Sequence, residues 1–312
     1  MRFKMLAGMF LSLVFVFGFA VSSFGGLTPE AETQRERLRE LMHGTAVVPF
    51  SLDEDFIVPR VNMIAAPEGD RSYFLIGVES EPTQECIEFI LYYTGIPREN
   101  AYIGKSWFEL QILPYDPAVI SPAQEIEPFS YRAWNMGQMI TIQGVGTLTM
   151  GHPHHSGLTS FVTAPHRHGL RGNNVSANSL TIGTVNRSVF NVNADVAIID
   201  LHDRNTVSPH VDGGVINNFT ARASRRDSVV SIRGMSGIQR DLWVEGTDFE
   251  IPGRPMRNMI GIYPDRNSTG GDSGSALIRR MSPTDRAVLG TRAGRLWFVG
   301  RYIGIYTPVV NY

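Results

Sequence analysis

Residues 267–278 have the sequence Asn267-Ser268-Thr269-Gly270-Gly271-Asp272-Ser273-Gly274-Ser275-Ala276-Leu277-Ile278, a glycine-dense turn that leads directly into an apolar segment. A serine hydroxyl attacks a carbonyl only when a base removes its proton, and the resulting oxyanion requires fixed donors such as backbone N–H groups. Gly271 and Gly274 flank Ser273 and allow the tight turn that aims such groups. Ser273 is therefore a candidate nucleophile, with the N–H groups of Gly271 and Ser273 as candidate oxyanion donors. Taken alone, the same residues are equally typical of an ordinary turn before a strand.

Two upstream segments supply the partners that such a serine requires. Residues 160–166 (SFVTAPH) form a short β-branched and aromatic run that ends on His166. Residues 193–201 (NADVAIIDL) present Asp195 and continue as a buried type of strand. A histidine is the side chain best suited to proton transfer near neutral pH, and a carboxylate orients it. His166 is thus the candidate base and Asp195 its candidate orienting group.

The order of these motifs along the chain is more specific than any one of them. A strand ending in Thr-Ala-Pro-His, then Asp-Val-Ala-Ile-Ile, then Gly-Asp-Ser-Gly resembles the chymotrypsin-fold serine endopeptidases, in particular the secreted α-lytic protease and streptogrisin branch. Further similar segments are residues 146–149 (GTLT), 230–237 (VSIRGMSG) and 297–304 (WFVGRYIG). The resemblance covers roughly the last three-fifths of the chain.

The resemblance implies a fold and a set of roles. The fold is all-β, a pair of six-stranded antiparallel β-barrels with His166 and Asp195 from the first barrel, Ser273 from the second and the cleft between them. Short strand-like runs separated by turn residues after residue 130 agree with it. Asn267, six residues before Ser273, is expected at the base of the substrate pocket, which disfavours Lys or Arg substrates because the position lacks an acid. Asp265 and Arg266 are nearby alternatives for that position.

The beginning of the chain predicts a compartment and a second domain. Arg2 and Lys4 precede an apolar run that ends in small residues, which favours a secretory signal peptide over residues 1–25 and export of the protein; a membrane anchor is the alternative. We expect no stable membrane association after the signal is removed. Residues 26–125 predict a small α+β pro- or accessory domain with a linker, and residues 126–312 the protease domain. A helix is predicted from Thr28, its N-cap, to a stop at Gly44.

The resemblance gives the N-terminal domain a role in cis. In the family, a domain in this position assists folding and blocks the cleft until it is cut away, so a zymogen is expected, with its processing site in or shortly after the proline-rich segment 114–128. The alternative is a permanent accessory domain. Cys86 is the only cysteine, so no intramolecular disulfide can form.

Composition limits the other function classes. The 312 residues carry a formal net charge of −2, which gives no indication of a nucleic-acid partner. The predicted function is a secreted serine endopeptidase that acts on protein or peptide substrates, is made as a precursor and needs no cofactor.

Two alternatives remain open at this stage. The pairs His152 with His154 and His166 with His168 have the spacing of neighbours on one strand face, which would suit a hydrolytic metal centre. The chain lacks a helical His-Glu-x-x-His, and residues 152–155 resemble a turn, so no metal ligand is assigned. The other alternative is a catalytically inactive protease homologue that serves as a binding module. It would apply if Asp195 did not face His166, and Asp200 and Asp203 are rivals for the orienting role.

Overall fold

The computed structural model describes residues 26–47, 57–114, 132–191, 193–202, 205–251 and 256–312. Its helices and strands in chain order are α1 (Pro29–His43), β1 (Val61–Ala65), β2 (Phe74–Val78), α2 (Gln84–Thr94), β3 (Ala101–Glu109), β4 (Arg132–Trp134), β5 (Met139–Ile142), β6 (Gly146–Thr149), β7 (Ser160–Thr163), β8 (Asn174–Ala177), β9 (Leu180–Asn191), β10 (Ala194–Leu201), β11 (Asn205–Val207), β12 (His210–Val211), β13 (Gly214–Asn218), β14 (Ser228–Ile232), β15 (Ile238–Ile251), β16 (Met256–Tyr263), β17 (Ala276–Arg280), β18 (Asp285–Phe298) and β19 (Arg301–Pro308). The predicted signal peptide and most of the predicted linker lie outside the described residues.

The first barrel is a six-stranded antiparallel sheet with the order β6-β5-β8-β9-β10-β7. The chain after β6 turns back onto β7 and brings the two edges together: Gly151 N donates to Val162 O at 3.0 Å, and Val162 N donates to His152 O at 2.9 Å. Alternating burial in β5, with Ile140 and Ile142 inside, shows the half-buried pattern expected of such strands.

The second barrel is closed by six antiparallel pairings that run β17-β14-β15-β16-β19-β18 and back to β17. One hydrophobic cluster contains residues of both barrels, for example Phe161 and Ile199 of the first with Ile232 and Ile278 of the second. This shared core holds the barrels against each other and fixes the cleft between them. The predicted all-β architecture of two six-stranded barrels, preceded by a small α+β region, is confirmed.

The family-like segment 297–304 forms a hairpin, in which β18 ends at Phe298 and β19 begins at Arg301. Val299 and Gly300 form the turn with φ values of 45° and 77°, both in the left-handed region that two-residue hairpins require. Apolar residues flank this turn on both sides, so the sequence pattern does not indicate it. Valine is also rare at a positive φ.

The N-terminal helices form as their caps predict. Thr28 Oγ1 accepts from Ala31 N at 3.2 Å, and Gly44 ends α1 in the left-handed conformation. The second helix begins at Gln84 after its N-cap Thr83, and Gly95 ends it in the left-handed conformation. Leu38 and Leu41 of α1 pack over this region's own small core. Among the described residues no helix has the length and apolar composition needed to span a membrane.

The N-terminal strands do not form a separate sandwich. β3 pairs antiparallel with β18 and β1 pairs antiparallel with β15, so β1-β2-β3 extend the sheet of the second barrel. Trp107 of β3 stacks on Trp297 of β18, with ring centroids 4.1 Å apart. The part of the predicted α+β domain that the structure describes therefore shares a sheet with the barrel, and the division at residue 125 stays a prediction.

Candidate active site

Three side chains from distant parts of the sequence meet in the cleft. His166 Nε2 lies 2.7 Å from Ser273 Oγ, and His166 Nδ1 contacts Asp195 Oδ2. The Asp195 carboxylate also accepts from the His166 backbone N–H through Oδ1 at 2.9 Å. Asp195 and the His166 ring are both buried, and so is Ser273. The arrangement is a hydroxyl, a base and an orienting carboxylate in one hydrogen-bonded chain.

Each of the three hydrogen-bonded residues lies at or near the end of a strand. His166 follows β7, and Asp195 is the second residue of β10, which pairs with β7. Thr307 of β19 accepts from Asp195 N at 3.2 Å and so anchors the first barrel's aspartate to the second barrel. Ser273 lies in the turn before β17. His166 itself has a φ of 55°, a sparsely populated conformation for a non-glycine residue, which the Asp195 contacts hold in place.

The glycine after the nucleophile is required by sterics. Gly274 has a φ of 91°, and a Cβ added there would overlap Thr163 Oγ1 and Thr149 O. Asp272 fixes the other side of the turn, because its buried carboxylate accepts from Met235 N at 3.1 Å. The turn that carries Ser273 is thus held from both sides.

The two candidate oxyanion donors converge on one atom. Gly271 N and Ser273 N donate to the carbonyl oxygen of Gln111, at 2.6 Å and 3.1 Å. Gly271 adopts a φ of 92°, which a side chain would disfavour. Two backbone donors aimed at a single carbonyl oxygen beside a serine hydroxyl is the geometry that stabilises a developing oxyanion.

A polar pocket lies beside these donors. The buried Gln111 side chain contacts Ser268 and Arg292, and both of these residues contact Asp265. Asn267, the residue expected at the pocket base, is exposed at the surface with a φ of 53°, and its neighbour Ser268 points inward instead. Sequence reasoning considered Asp265 but missed Ser268, Arg292 and Gln111.

Solved structures of serine proteases resemble this chain. The Nocardiopsis protease NAPase matches with a TM-score of 0.45 and 20% identity over 57% of this chain and 93% of that one. Cellulomonas bogoriensis chymotrypsin matches with a TM-score of 0.46 and 19% identity over 57% of this chain and 92% of that one. Thermobifida fusca protease A matches with a TM-score of 0.44 and 20% identity over 57% of this chain and 92% of that one. No protein-family model and no curated protein sequence matches.

The chain is similar to chymotrypsin-fold serine proteases. The resemblance predicted from the sequence motifs is confirmed as a similarity of structure at low identity. What the chain does is argued below from its own geometry.

The rival residues lie elsewhere. Asp200 is exposed and accepts from Asn186 Nδ2 at 2.6 Å, and Asp203 lies outside the described residues. His168 is exposed, whereas His152 is fully buried and hydrogen-bonds to Pro153 O and the Tyr312 hydroxyl. The described part of the chain contains no group of three or more His, Cys, Asp or Glu side chains arranged to hold a metal ion.

Proposed function

We propose that this chain is a secreted serine endopeptidase, made as a precursor, that hydrolyses peptide bonds through an acyl-enzyme on Ser273. The observation that carries the proposal is the hydrogen-bonded chain from Ser273 Oγ through His166 to Asp195, with a 2.7 Å contact between Oγ and Nε2. A serine is a weak nucleophile unless a base is placed within hydrogen-bond reach of its hydroxyl. His166 is that base.

The proposal gives each group one step. Ser273 Oγ attacks the substrate carbonyl and passes its proton to His166 Nε2, while Asp195 holds the Nδ1–H tautomer and stabilises the charged imidazolium. The N–H groups of Gly271 and Ser273 hold the oxyanion. His166 then protonates the leaving amine, and a water molecule activated by the same histidine releases the acyl group.

The remaining parts of the proposal concern the precursor and its compartment. Residues 1–25 act as a secretory signal, and the substrates are proteins or peptides outside the cell. The N-terminal region acts in cis on the cleft of its own chain. This role is supported by the position of Gln111, whose carbonyl oxygen occupies the oxyanion donors of the same molecule.

The test is labelling with a fluorophosphonate probe, which reacts with activated serines. The probe should modify Ser273 in the wild-type chain, with and without a metal chelator, and mass spectrometry of the labelled peptide should locate it. Ser273→Ala should abolish labelling and lower peptide hydrolysis by at least about 10⁴-fold. Ser156→Ala, which removes an exposed serine that is not part of the hydrogen-bonded site, is the matched control and should label normally.

Two outcomes would contradict the proposal. A folded, processed protein that takes no label on Ser273 would support an inactive homologue. Hydrolysis that a chelator abolishes, with no effect of Ser273→Ala, would support a metal-dependent reaction.

A further inference from the structure

Residues 109–113 cross the cleft from the second barrel to the first. On one side Glu109 pairs antiparallel with Arg295 of β18. On the other side Leu113 exchanges two hydrogen bonds of 3.1 Å with Thr147 of β6. Gln111 lies between these anchors, one on each barrel. A peptide held by strand pairing on both sides is presented to the groups between them as a substrate strand is.

The carbonyl at the centre of this segment is the one aimed at the nucleophile. Gln111 O accepts from both Gly271 N and Ser273 N, and this carbonyl belongs to the Gln111–Ile112 peptide bond. Ser273 Oγ, in the same turn, is hydrogen-bonded to His166 Nε2. The peptide bond that faces Ser273 in the cleft is therefore the Gln111–Ile112 bond of the same chain.

The Gln111 side chain is held as specifically as its backbone. It is 1% exposed. Its Nε2 donates to Ser268 Oγ at 2.8 Å, and its Oε1 accepts from Arg292 Nε at 2.6 Å. Both partners are fixed from behind, since Ser268 Oγ donates to Asp265 Oδ2 at 2.8 Å and a terminal nitrogen of Arg292 donates to the same oxygen at 2.6 Å. Arg292 also donates to the Tyr306 hydroxyl at 3.1 Å.

The pocket's charges keep these donors and acceptors in place. Burial disfavours the ionised form of Asp265, but Arg292 and Arg233 outweigh burial and lower its pKa below the usual value. Because the Ser268 proton is directed to the Asp265 carboxylate, the Ser268 oxygen faces Gln111 as an acceptor. The pocket thus offers one acceptor and one donor to the end of a side chain, which is the complement of a carboxamide.

We infer that the Gln111–Ile112 bond is the one this chain cuts in itself, and that the pocket around Gln111 selects glutamine on the acyl side of the bond in other substrates. The inference rests on the proposed function and adds to it a cleavage site and a substrate class. It moves the processing site a few residues before the segment 114–128 in which the sequence predicted it.

The reaction balances with water as the only co-reactant. Ser273 Oγ bonds to the Gln111 carbonyl carbon, and its proton goes to His166. The bond to the Ile112 nitrogen breaks as His166 protonates that nitrogen, which leaves Ile112 as a new amino terminus. Water then attacks the acyl-enzyme, releases the Gln111 carboxylate and returns the proton to Ser273 through His166.

Other side chains fit this pocket less well. A glutamate would place an oxygen without a proton against Ser268 Oγ and close to the Asp265 carboxylate, where glutamine places its N–H. A leucine would leave Arg292 Nε and the Ser268 oxygen without the hydrogen bonds that they make to Gln111. Sites that hydrogen-bond a substrate group discriminate strongly against analogues that lack it.

The first experiment follows self-processing of the full-length chain by intact mass and N-terminal sequencing. Wild type should yield a fragment that begins at Ile112, and Ser273→Ala should yield none. Gln111→Leu should slow the cut by at least about tenfold. Gln84→Leu, which changes an exposed glutamine on α2, is the matched control and should cut at the wild-type rate. A new amino terminus elsewhere, or an unchanged rate in Gln111→Leu, would overturn the cleavage site.

The second experiment measures kcat/KM on quenched peptides with the sequence of residues 107–114. The glutamine peptide should exceed those with glutamate, leucine or lysine in its place by about tenfold or more. Ser268→Ala should reduce the ratio of the glutamine rate to the leucine rate, a readout that a general loss of stability does not move. A glutamate or leucine peptide cleaved faster than the glutamine peptide would overturn the selectivity.

A third variant separates this inference from the proposed function. Gln111→Gly removes the side chain that fills the pocket and leaves every reacting group in place. Fluorophosphonate labelling of Ser273 in Gln111→Gly, together with no cut at Ile112 in wild type, would overturn the cleavage site while the proposed function stands. No labelling of Ser273 and no peptide hydrolysis, in this variant and in wild type alike, would contradict the proposed function itself.

Discussion

His152 is a buried histidine whose hydrogen bonds define its proton. Its Nδ1 lies 2.7 Å from the carbonyl oxygen of Pro153, so Nδ1 carries the hydrogen. Its Nε2 therefore accepts from the Tyr312 hydroxyl at 2.8 Å. Burial lowers the pKa of His152 to about 4. The native protein thus requires this histidine to be neutral.

The neutral state of His152 predicts a loss of stability in acid. The ordinary histidine pKa is about 6.5, so between about pH 6.5 and 4 the unfolded chain binds a proton that the folded chain does not. This group's contribution is complete above the unfolded pKa and is lost as the pH falls, by on the order of 3 kcal/mol in total. The measurement is the free energy of unfolding in urea at pH 7.5 and 4.5, in Ser273→Ala so that self-cleavage does not interfere.

His152→Asn in the same background is the comparison for this prediction. Asn can donate to Pro153 O but does not titrate, so the double variant should lose less stability between the two pH values than Ser273→Ala alone. Other groups titrate in this range too, and the difference between the variants removes their contribution. An identical pH dependence in both would contradict the assignment.

At the residue scale, the sequence predicted the three residues to which the proposal gives the chemistry and missed those that hold the Gln111 side chain. His166, Asp195 and Ser273 each lie in a short motif with a recognisable neighbourhood. The contact between Gln111 and Arg292 joins positions 181 residues apart, and neither residue has a local pattern that marks it. A pocket made by the packing of distant strands leaves no spacing for sequence reasoning to detect.

Ion pairs hold helix α1 against the second barrel. Arg35 and Arg39 both donate to Glu250 of β15, and Arg35 also donates to Asp248 at 2.5 Å. Glu250 is only 2% exposed. Burial raises the pKa of Glu250, but Arg39 and Arg35 outweigh burial and lower it overall. The contacts of Glu250 with Arg35 and Arg39 are therefore intact above the ordinary glutamate pKa and weaken in stronger acid, whereas burial raises the pKa of Asp248 to about 6.

Removing this carboxylate should destabilise the protein. Glu250→Gln removes the buried charge partner that two largely buried guanidinium groups share, a change that typically costs about 3 to 5 kcal/mol. Glu36→Gln, which removes an exposed carboxylate that also contacts Arg39, is the matched control and should cost less than about 1 kcal/mol. Urea unfolding of both variants in the Ser273→Ala background measures the difference, and equal losses would contradict the role of Glu250.

At the scale of elements, local chemistry predicted the helices better than the strand pairings. Thr28 and Gly44 bound α1 as their capping residues indicated. Nothing in the sequence of β3 marks β18 as its partner. Pairing depends on register with a strand nearly 200 positions later, and the alternation of side chains within β3 is the same whatever its neighbour.

In the whole molecule, one sheet contains strands from both of the domains that the sequence analysis predicted. The order of the motifs carries the resemblance to the chymotrypsin-fold proteases, and that resemblance predicted two barrels with the cleft between them. It did not predict that β1-β2-β3 join the second barrel at both ends, through β15 and β18. A composition change near residue 114 indicates a linker, but a linker in sequence does not require separation in space.

This shared sheet predicts that cutting the chain does not release its N-terminal part. A protease recognition sequence placed within residues 115–131 of Ser273→Ala allows the chain to be split without any activity of its own. The two pieces should then elute together in size-exclusion chromatography, because the pairing of β3 with β18, the stacking of Trp107 on Trp297 and the contacts of α1 with Glu250 persist. Glu250→Gln together with Trp107→Ala should separate the pieces at lower urea concentration than Glu36→Gln does. Separate elution of the unmodified pieces at micromolar concentration would contradict a shared sheet that holds without a covalent link.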